Sequence, residues 1–390
     1  MTEAATVVFV LSLAACAYVY AGYPLLVVVL ARFRPRPVTK GAMTPRISVI
    51  IAAHNERGII GEKIRNTLDN GYPLGRLEII VASDGSSDLT ETVARAVGGP
   101  AVTVLSMPRR GKLRTLASAA QVASGDVFVF TDADTILEPD ALGYLMESLA
   151  DPEVGAVAGR KEVALSVSPM AMAKGEGLYR RFDEWQKEQE SRMGNAVAAV
   201  GALYAVRRHL FDPGLDAAAA DDMAISMRVA VKGYRLAYEP RAVVLVKPPA
   251  AQGPELRRKV RIANQAMRAL LGLGPALWTS GLYSLQLISH KLLRYMVPFF
   301  LLLAFWSNLL LALAIRGTWA DLLGFQVVFY GLSALGAIRH RDPSGAMKLL
   351  SVPYYFCLMN LAALLAVLSV RRGDRIMAWF PGAGTGQEAA

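Results

Sequence analysis

The sequence predicts an α/β protein in which a mostly parallel sheet, with helices on both faces, is joined to transmembrane and interfacial α-helices. Two patterns support this class. Between residues 41 and 250, short β-branched runs alternate with segments of helical spacing, which is the pattern of βαβ units. Long uncharged runs lie on both sides of that region, and crossing a bilayer takes about 20 apolar residues.

The N-terminal region, residues 1–40, is predicted to be one transmembrane helix followed by a basic flank. Residues 4–31 carry no charge. A cleaved signal peptide has a basic start and a shorter apolar region, whereas here Glu3 precedes the run and the basic residues of segment 32–40 follow it. Because basic flanks stay on the cytoplasmic side, the domain that follows, residues 41–250, is expected to be cytoplasmic.

The strands of this domain are predicted from continuous β-branched runs, which are typical of strands buried on both faces of a sheet. In chain order they cover residues 47–53, 77–83, 102–107, 126–130 and 154–160. Helical segments follow the first three strands, and Ser87 or Asp88 is a suitable N-cap for the second helix. A further helix is expected to begin at Pro139.

Polar residues follow three of these strands. They are His54-Asn55-Glu56, Ser83 to Ser86, and the pair Asp132 and Asp134. Ligands of parallel sheets bind outside the carboxyl ends of the strands. Two converging carboxylates are hard oxygen ligands suited to Mg²⁺ or Mn²⁺, which complete their shells with substrate phosphates. The alternative is that both aspartates are turn residues.

The motifs, in this order, closely resemble those of the family 2 glycosyltransferases, which are nucleotide-sugar enzymes with the Rossmann-like GT-A fold. The similarity covers residues 45–265. The matching segments are AAHNE at 52–56, DGSSD at 84–88, Gly111-Lys112, TDAD at 131–134, VGALYAVRRHLF at 200–211, the block beginning AADDM at 219–244, and ELRRKVRI at 255–262.

This resemblance implies a nucleotide-sugar donor, with UDP-sugars favoured, bound at the strand ends. The residues it assigns to the donor are Ala53, Asn55, Glu56, Asp84, Ser86, Lys112 and Asp132. Asp132 and Asp134 would hold the metal ion, Mg²⁺ or Mn²⁺. Lys112 could instead be a solvated charge, and Asp84 a turn residue. His54 is expected to form the wall of the loop rather than to act as a base.

The resemblance also assigns Asp222 as the base that deprotonates the acceptor hydroxyl. Asp221 would be either active itself or a capping partner of Asp222. Arg258 and Arg261 are candidate clamps for the diphosphate, and the alternative for both is contact with lipid headgroups. One base without a covalent partner indicates direct displacement with inversion of the anomeric centre.

Several positions depart from the family pattern. Ser83 stands where many members have Asp, so one nucleotide contact is in doubt, and Ala117 replaces a frequent Asn. Asp221 replaces the commoner Glu. Ile262 replaces the Trp of cellulose- and hyaluronan-synthase types, which argues against assigning a polymer synthase.

The C-terminal half is predicted to begin with interfacial amphipathic helices at 251–293, because basic and apolar residues alternate there at helical spacing. Transmembrane helices are expected within 294–375, from uncharged runs at Tyr295–Ile315, Leu322–Ile338 and Leu349–Val370. Residues 376–390 would form a tail. Three spans here leave the C-terminus outside, although basic residues at 371–375 follow the last run, against the positive-inside rule. Either the last run is re-entrant or interfacial, or Ala276–Ile288 also crosses.

The charge pattern favours a membrane over nucleic acid as the partner. Much of the net charge of +10 lies beside the apolar runs, where basic residues contact anionic lipid. Cys16 and Cys357 both lie in apolar runs, so neither a disulfide framework nor a zinc site is indicated.

Together these patterns predict an inverting, metal-dependent glycosyltransferase of the bacterial inner membrane. It would move a sugar to a glycan or lipid-linked acceptor at the cytoplasmic face, in synthesis of an extracellular or cell-surface polysaccharide. A polyprenyl-phosphate sugar synthase and a catalytically inert accessory subunit that binds nucleotide sugars remain alternatives. The oligomeric state stays open.

Overall fold

The computed structural model of the chain describes residues 1–163, 174–246, 255–339 and 350–376. The strands are β1 (Ile47–Ala53), β2 (Leu77–Asp84), β3 (Val102–Met107), β4 (Val127–Asp132), β5 (Thr135–Leu137), β6 (Val154–Val163), β7 (Leu203–Arg207) and β8 (Arg235–Val246). The helices of the central domain are α3 (Ile60–Leu68), α4 (Thr90–Gly98), α5 (Lys112–Val122), α6 (Ala141–Leu149), α7 (Lys174–Met193) and α8 (Asp221–Val231).

The remaining helices, which we call the membrane half, include all the candidate membrane spans among the described residues. They are α1 (Thr2–Ala17), α2 (Tyr23–Phe33), α9 (Glu255–Leu271), α10 (Ala276–Thr279), α11 (Leu282–Gln286), α12 (Leu293–Ala314), α13 (Thr318–Arg339) and α14 (Ser351–Arg371). The last 14 residues of the predicted tail, the start of the predicted 251–293 segment and Leu349 lie outside the described residues.

The strands form one eight-stranded sheet in the order β3-β2-β1-β4-β7-β6-β8-β5. β3, β2, β1 and β4 are parallel neighbours, as are β6 and β8. β7 runs antiparallel between β4 and β6, and β5 runs antiparallel to β8. The predicted mostly parallel α/β sheet is therefore confirmed, with β5 and β7 as the two reversed strands.

β7 lies in the segment VGALYAVRRHLF, for which the resemblance implies an apolar strand led by glycine, whereas β5 and β8 have no counterpart in the prediction. β5 has only three residues, which is too short for a periodic signal. In β8, Glu239, Pro240 and Arg241 interrupt the apolar pattern. The Glu239 carboxylate is nevertheless buried, because Lys40 and Arg241 form ion pairs with it at 2.6 and 2.9 Å. The helix expected at Pro139 begins two residues later, at Ala141.

Helices cover both faces of the sheet. On one face Ile50, Ile80 and Phe130 pack in a cluster with residues of α5, α8 and α9. On the other face Val49 and Ile51 pack with residues of α3 and α6. This two-sided burial explains why the central strands are continuous apolar runs instead of alternating ones.

Four helical stretches are long and apolar enough to cross a membrane: Thr2–Phe33, Leu282–Ala314, Thr318–Ile338 and Ser351–Arg371. The first joins α1 to α2, and the second joins α11 to α12, each through a π-helical turn. Residues 282–288 of the stretch Ala276–Ile288 are therefore the beginning of this long helix. At one end of this bundle Phe9 packs with Leu311 and with the ring of Trp319.

The long helix Leu282–Ala314 is attached to the central domain through a buried polar network on α7. Glu190 accepts a hydrogen bond from the Tyr23 hydroxyl at 2.7 Å and lies 2.7 Å from His290 Nδ1. The Arg294 guanidinium lies 3.2 Å from Asp183 Oδ1. The long helix Leu282–Ala314 and the central domain are thus joined by hydrogen bonds and ion pairs.

Helix α14 contacts α9 near both of its own ends. Near the start of α14, Lys259 Nζ donates to the Tyr355 hydroxyl at 2.7 Å. Near its end Asn264 donates to Ser369, and just beyond it Arg268 donates to the Asp374 carbonyl at 2.6 Å. Helix α9 itself packs on the sheet through buried side chains that include Ala266 and Leu270. Part of its apolar face, which the sequence predicted to contact lipid, is therefore buried within the protein.

Candidate active site

The candidate site lies at the carboxyl edge of β2, β1 and β4, which are neighbours in the sheet. Ala53 and Asp84 are the last residues of β1 and β2, and Asp132 is the last residue of β4. The first turn of α8 brings Asp221 and Asp222 to the same place. The sheet order therefore gathers residues that are up to 169 positions apart in the chain.

The loop after β1 is fixed by hydrogen bonds to the loop after β2. Asn55 has a left-handed backbone with φ of 55°. Its Oδ1 accepts from the Ser87 amide at 2.8 Å, and its own amide donates to Ser86 Oγ at 3.1 Å. The Glu56 amide donates to Thr90 Oγ1 at 2.8 Å. Asn55, Glu56 and Ser86, predicted as donor-binding residues, thus form one rigid wall, whereas the Ala53 side chain is fully buried.

Asp84 shapes the segment that leads to Lys112. Its buried carboxylate accepts from the Arg110 amide at 2.6 Å and from the Gly111 amide at 3.0 Å. Gly85 next to it has φ of 68°, and a Cβ there would lie 2.8 Å from the Arg109 amide nitrogen. The structure therefore gives Asp84 a positioning role, and its contact with a nucleotide stays a prediction.

Lys112 connects the two acidic groups of the site. Its Nζ lies 2.7 Å from Asp132 Oδ1 and 3.2 Å from Asp221 Oδ1. Burial alone would lower the pKa of Lys112, but the carboxylates of Asp132 and Asp221 outweigh burial and raise it. Lys112 is therefore a part-buried positive charge held between two carboxylates, and its contact with a donor stays a prediction.

Asp132 and Asp134 lie in the turn between β4 and β5, which we call the D-A-D turn (residues 132–134). Burial and the charge of Asp132 raise the pKa of Asp134. A divalent cation would relieve this repulsion between two carboxylates, so the pair fits the predicted metal. Among the described residues no group of three or more His, Cys, Asp and Glu side chains could hold a metal ion alone. Two protein ligands completed by phosphate oxygens match the habit of Mg²⁺.

The neighbouring carboxylates of Asp221 and Asp222 have different surroundings. Asp221 Oδ2 accepts a hydrogen bond from the Tyr204 hydroxyl at 3.3 Å. Burial, together with the charges of Asp222 and Asp132, raises the pKa of Asp221 to about 6 despite the opposing charge of Lys112. Asp222 makes no direct ion pair with a described residue, and a Cβ added at Gly201 would lie 3.2 Å from its Oδ2. This geometry fits Asp222 as the base and Asp221 as its partner.

Arg258 and Arg261 lie on α9, the helix that contacts the residue before α8. Arg261 lies one helical turn before Gln265, whose carbonyl accepts from the Ala220 amide at 3.0 Å, and Ala220 directly precedes Asp221. Burial and the nearby charge of Arg258 lower the pKa of Arg261, and its buried Nε has no hydrogen-bond partner among the described residues. Two adjacent guanidinium groups suit an anion such as a diphosphate.

Two further residues of the site were not predicted. Tyr204, which contacts Asp221, looks like an ordinary core aromatic in the sequence. Lys63 on α3 is fully buried beneath the D-A-D turn. Burial lowers the pKa of Lys63 to about 7, against the opposing charges of Asp132 and Asp134. Its position three residues after Ile60 places it on the apolar face of the helix, which is the one signal that could have identified it.

Comparison of the whole chain with solved structures identifies the fold. A mannosyltransferase, PcManGT from Pyrobaculum calidifontis, solved in complex with GDP-Man and Mn²⁺, superposes with a TM-score of 0.69 at 24% identity. The alignment covers 94% of this chain and 99% of that one. The predicted GT-A fold with attached membrane helices is therefore confirmed.

Sequence comparison then finds similar proteins. Residues 48–214 match the family described as "Glycosyl transferase family 2". "Probable glycosyltransferase YdaM" of Bacillus subtilis (strain 168) is 28% identical over 231 residues, 56% of this chain and 55% of that protein. "Poly-beta-1,6-N-acetyl-D-glucosamine synthase" of Staphylococcus aureus (strain MSSA476) is 29% identical over 233 residues, with coverage of 58% and 55%. The chain spans about half the length of these curated relatives.

Proposed function

We propose that the chain is a membrane-integral inverting glycosyltransferase that transfers a sugar from a nucleotide-sugar donor, with UDP-sugars favoured, to an acceptor at the membrane face. The observation that carries this proposal is the Lys112 bridge. It joins Asp132, at the end of β4, to Asp221, beside Asp222. One charged cluster thus combines the groups that would hold a diphosphate with the group that would activate an acceptor.

The donor would bind across the carboxyl edge of the sheet. Asn55 and Ser86 would border the nucleoside, and Arg258 and Arg261 would contact the diphosphate oxygens. A Mg²⁺ or Mn²⁺ held by Asp132 and Asp134 would neutralise charge on the leaving β-phosphate. The fixed positive charge of Lys112 is placed to add to that stabilisation without rearrangement.

The acceptor hydroxyl would be deprotonated by Asp222. Its neighbour Asp221 is occupied by Lys112 and Tyr204, so Asp222 remains available to take the proton. Lys112, which Asp132 and Asp221 hold by ion pairs, also supplies a positive charge near Asp222. Attack from the base side, opposite the leaving diphosphate, gives inversion without a covalent intermediate.

The test of this proposal is release of nucleoside diphosphate from a panel of nucleotide sugars by purified full-length protein, in the presence of membrane extract as the acceptor source. We expect release with one sugar nucleotide that depends on Asp222. Binding of a nucleotide sugar without any turnover across the panel would instead support the alternative of an inert accessory subunit.

An apolar cavity favours a lipid-linked acceptor over a free glycan. The cavity has a volume of about 660 Å³ and lies between α12, α13 and α14, with Leu256 of α9, Pro298, Phe305, Tyr330 and Leu361 in its walls. It is adjacent to the helix that carries Arg258 and Arg261, so a lipid chain in it would bring a polar headgroup to the site. A polyprenyl-phosphate acceptor would also fit this cavity, but its phosphate nucleophile would not need the Asp222 base.

We also propose that α14 lies along the cytoplasmic membrane face instead of crossing. Its contacts with α9 at both ends, through Tyr355 and Ser369, support this placement. Three crossings then put the C-terminus on the same side as the catalytic domain, and the basic residues 371–375 satisfy the positive-inside rule. The membrane is proposed to be a bacterial inner membrane and the product an extracellular or cell-surface polysaccharide or glycolipid.

Cysteine labelling tests this topology. In a background with Cys16 and Cys357 replaced by Ser, Arg375→Cys should react with an impermeant maleimide only after spheroplasts are permeabilised. Thr318→Cys, at the start of α13, should react in intact spheroplasts. Labelling of Arg375→Cys in intact spheroplasts would show that α14 crosses the membrane.

A further inference from the structure

Lys63 lies directly behind the D-A-D turn and contacts both of its ends. Its side chain is fully buried. Its Nζ donates to Thr131 Oγ1 at 2.9 Å and to Thr135 Oγ1 at 3.1 Å. These threonines are the residues immediately before Asp132 and immediately after Asp134. One ammonium group therefore connects the two flanks of the proposed metal-binding turn.

The hydrogen bonds of this cluster have a defined direction. An ammonium group can only donate, so both threonine hydroxyls accept from Lys63 and donate onward. Thr131 Oγ1 donates to the Ala202 carbonyl at 2.8 Å, and Thr135 Oγ1 donates to the Asp132 carbonyl at 2.9 Å. The turn is thus linked through Thr131 to the neighbouring backbone of the sheet and through Thr135 to itself.

The charge of Lys63 makes this arrangement costly. A buried ammonium group without a paired carboxylate loses its hydration, and Lys63 forms no ion pair with a described residue. The opposite charges that act on it most strongly are those of Asp132 and Asp134. Apolar side chains could fill this space, so a buried amine that donates to both flanks of the turn indicates a function at the turn.

We propose that Lys63 is a positioning residue that holds the D-A-D turn in the conformation in which Asp132 and Asp134 together face the metal–diphosphate. This inference rests on the proposed function. Lys63 touches neither the donor nor the metal, and it acts through the hydroxyls of Thr131 and Thr135.

The test measures the affinity of purified full-length protein for Mn²⁺ in the presence of UDP by titration calorimetry. In Lys63→Met the affinity should fall by about 10- to 100-fold, as is typical when a partner that orients metal ligands is removed. The melting temperature should be unchanged or higher, because a buried charge is removed. A purely electrostatic role predicts the opposite sign, since losing a nearby cation would tighten Mn²⁺ binding. Tighter or unchanged binding would overturn the proposal.

A double-mutant cycle tests the route through the threonines. Thr131→Val with Thr135→Val should weaken Mn²⁺ binding to a similar extent, and adding Lys63→Met should cause little further loss. Fully additive losses would contradict the proposal. The matched control is Thr67→Val, on the same helix, whose buried hydroxyl donates to the Lys63 carbonyl at 2.8 Å. It should leave Mn²⁺ affinity unchanged, and if Lys63→Met does not fold, the threonine variants decide the question.

Asp134→Ala separates this inference from the function on which it rests. If Asp134→Ala abolishes Mn²⁺-dependent UDP binding and Lys63→Met has no effect, the role of Lys63 is refuted and the metal site stands. If Asp134→Ala also has no effect, the metal site of the proposed function fails.

Discussion

At the scale of single residues, two adjacent aspartates have different proposed roles, Asp222 as the base and Asp221 as its partner. Asp221 is held by Lys112 and Tyr204, whereas Asp222 makes no direct ion pair with a described residue. Their sequence alone, DD at the start of a helix, predicts acids favoured by the helix dipole. The environment that distinguishes them comes from β4, β7 and α5, and it is not visible in the local sequence.

The raised pKa of Asp221 predicts a dependence of stability on pH. Because the pKa of Asp221 is about 6 in the folded protein and 3.8 for a free group, the folded state binds more protons between these values, and its stability falls as pH rises through them. Asp221→Asn removes the group whose ionisation causes this loss of stability. Its melting temperature should therefore exceed that of the wild type by more at about pH 7.5 than at about pH 4.5.

The exposed variant Asp69→Asn is the control for this comparison, and its difference from the wild type should be the same at both pH values. An equal gain for Asp221→Asn at both pH values would contradict the assignment of a raised pKa.

Substitution of Asp134 tests whether this residue is a ligand of the proposed metal ion. Asp134→Ala should remove the part of UDP binding that EDTA removes from the wild type, because one of two proposed protein ligands is lost. Equilibrium binding of UDP with Mn²⁺ and with EDTA measures this. If the variant still binds UDP more tightly with Mn²⁺ than with EDTA, to the same degree as the wild type, Asp134 is not a ligand.

At the scale of elements, the loop after β2 and the start of α5 form one unit that positions Lys112. Asp84 accepts from the Arg110 and Gly111 amides, and Gly85 allows the Arg109 backbone to approach closely. The sequence motif DGSSD indicates a turn of this kind. The pairing of that turn with Gly111 is a long-range contact, which no local pattern contains.

Gly85→Ala should disturb this unit. The left-handed backbone and a Cβ 2.8 Å from the Arg109 amide nitrogen should together cost about 1–3 kcal/mol of stability, and UDP binding should weaken. Gly75→Ala is the matched control, because a Cβ there meets nothing within 4 Å. Thermal unfolding and UDP titration of both variants are the measurements. Equal behaviour of the two variants would mean that the turn tolerates a side chain.

Whether a strand could be predicted from the sequence depended on how that strand is buried. Strands β1, β2 and β4 were predictable because burial on both faces makes them continuous apolar runs. β5 and β8 were not, since one is three residues long and the other contains Glu239, whose charge is compensated by Lys40 from far along the chain. Lys63 was missed for the same reason, because its partners Thr131 and Thr135 lie in another part of the sequence.

At the scale of the whole molecule, the fold places the candidate site beside the helices that are long and apolar enough to cross a membrane. Helix α9 packs on the sheet next to α8 and also contacts α14, so the side of the site that carries Arg258 and Arg261 faces the membrane half. The apolar runs predicted the four membrane-type helices. The number of apolar runs in the sequence did not decide whether α14 crosses the membrane. The proposal that it does not cross rests on its contacts with α9, which are long-range and have no local sequence signal.

The central claim is that Asp222 is the base of a glycosyl transfer, and Asp222→Asn tests it most directly. Asn keeps the size of the side chain and cannot accept the proton, so transfer from the accepted nucleotide sugar should fall by at least about 100-fold, while UDP binding in the presence of Mn²⁺ stays at the wild-type level. Single-turnover transfer measured beside UDP titration separates the two quantities. Transfer at the wild-type rate, with UDP binding intact, would contradict the account.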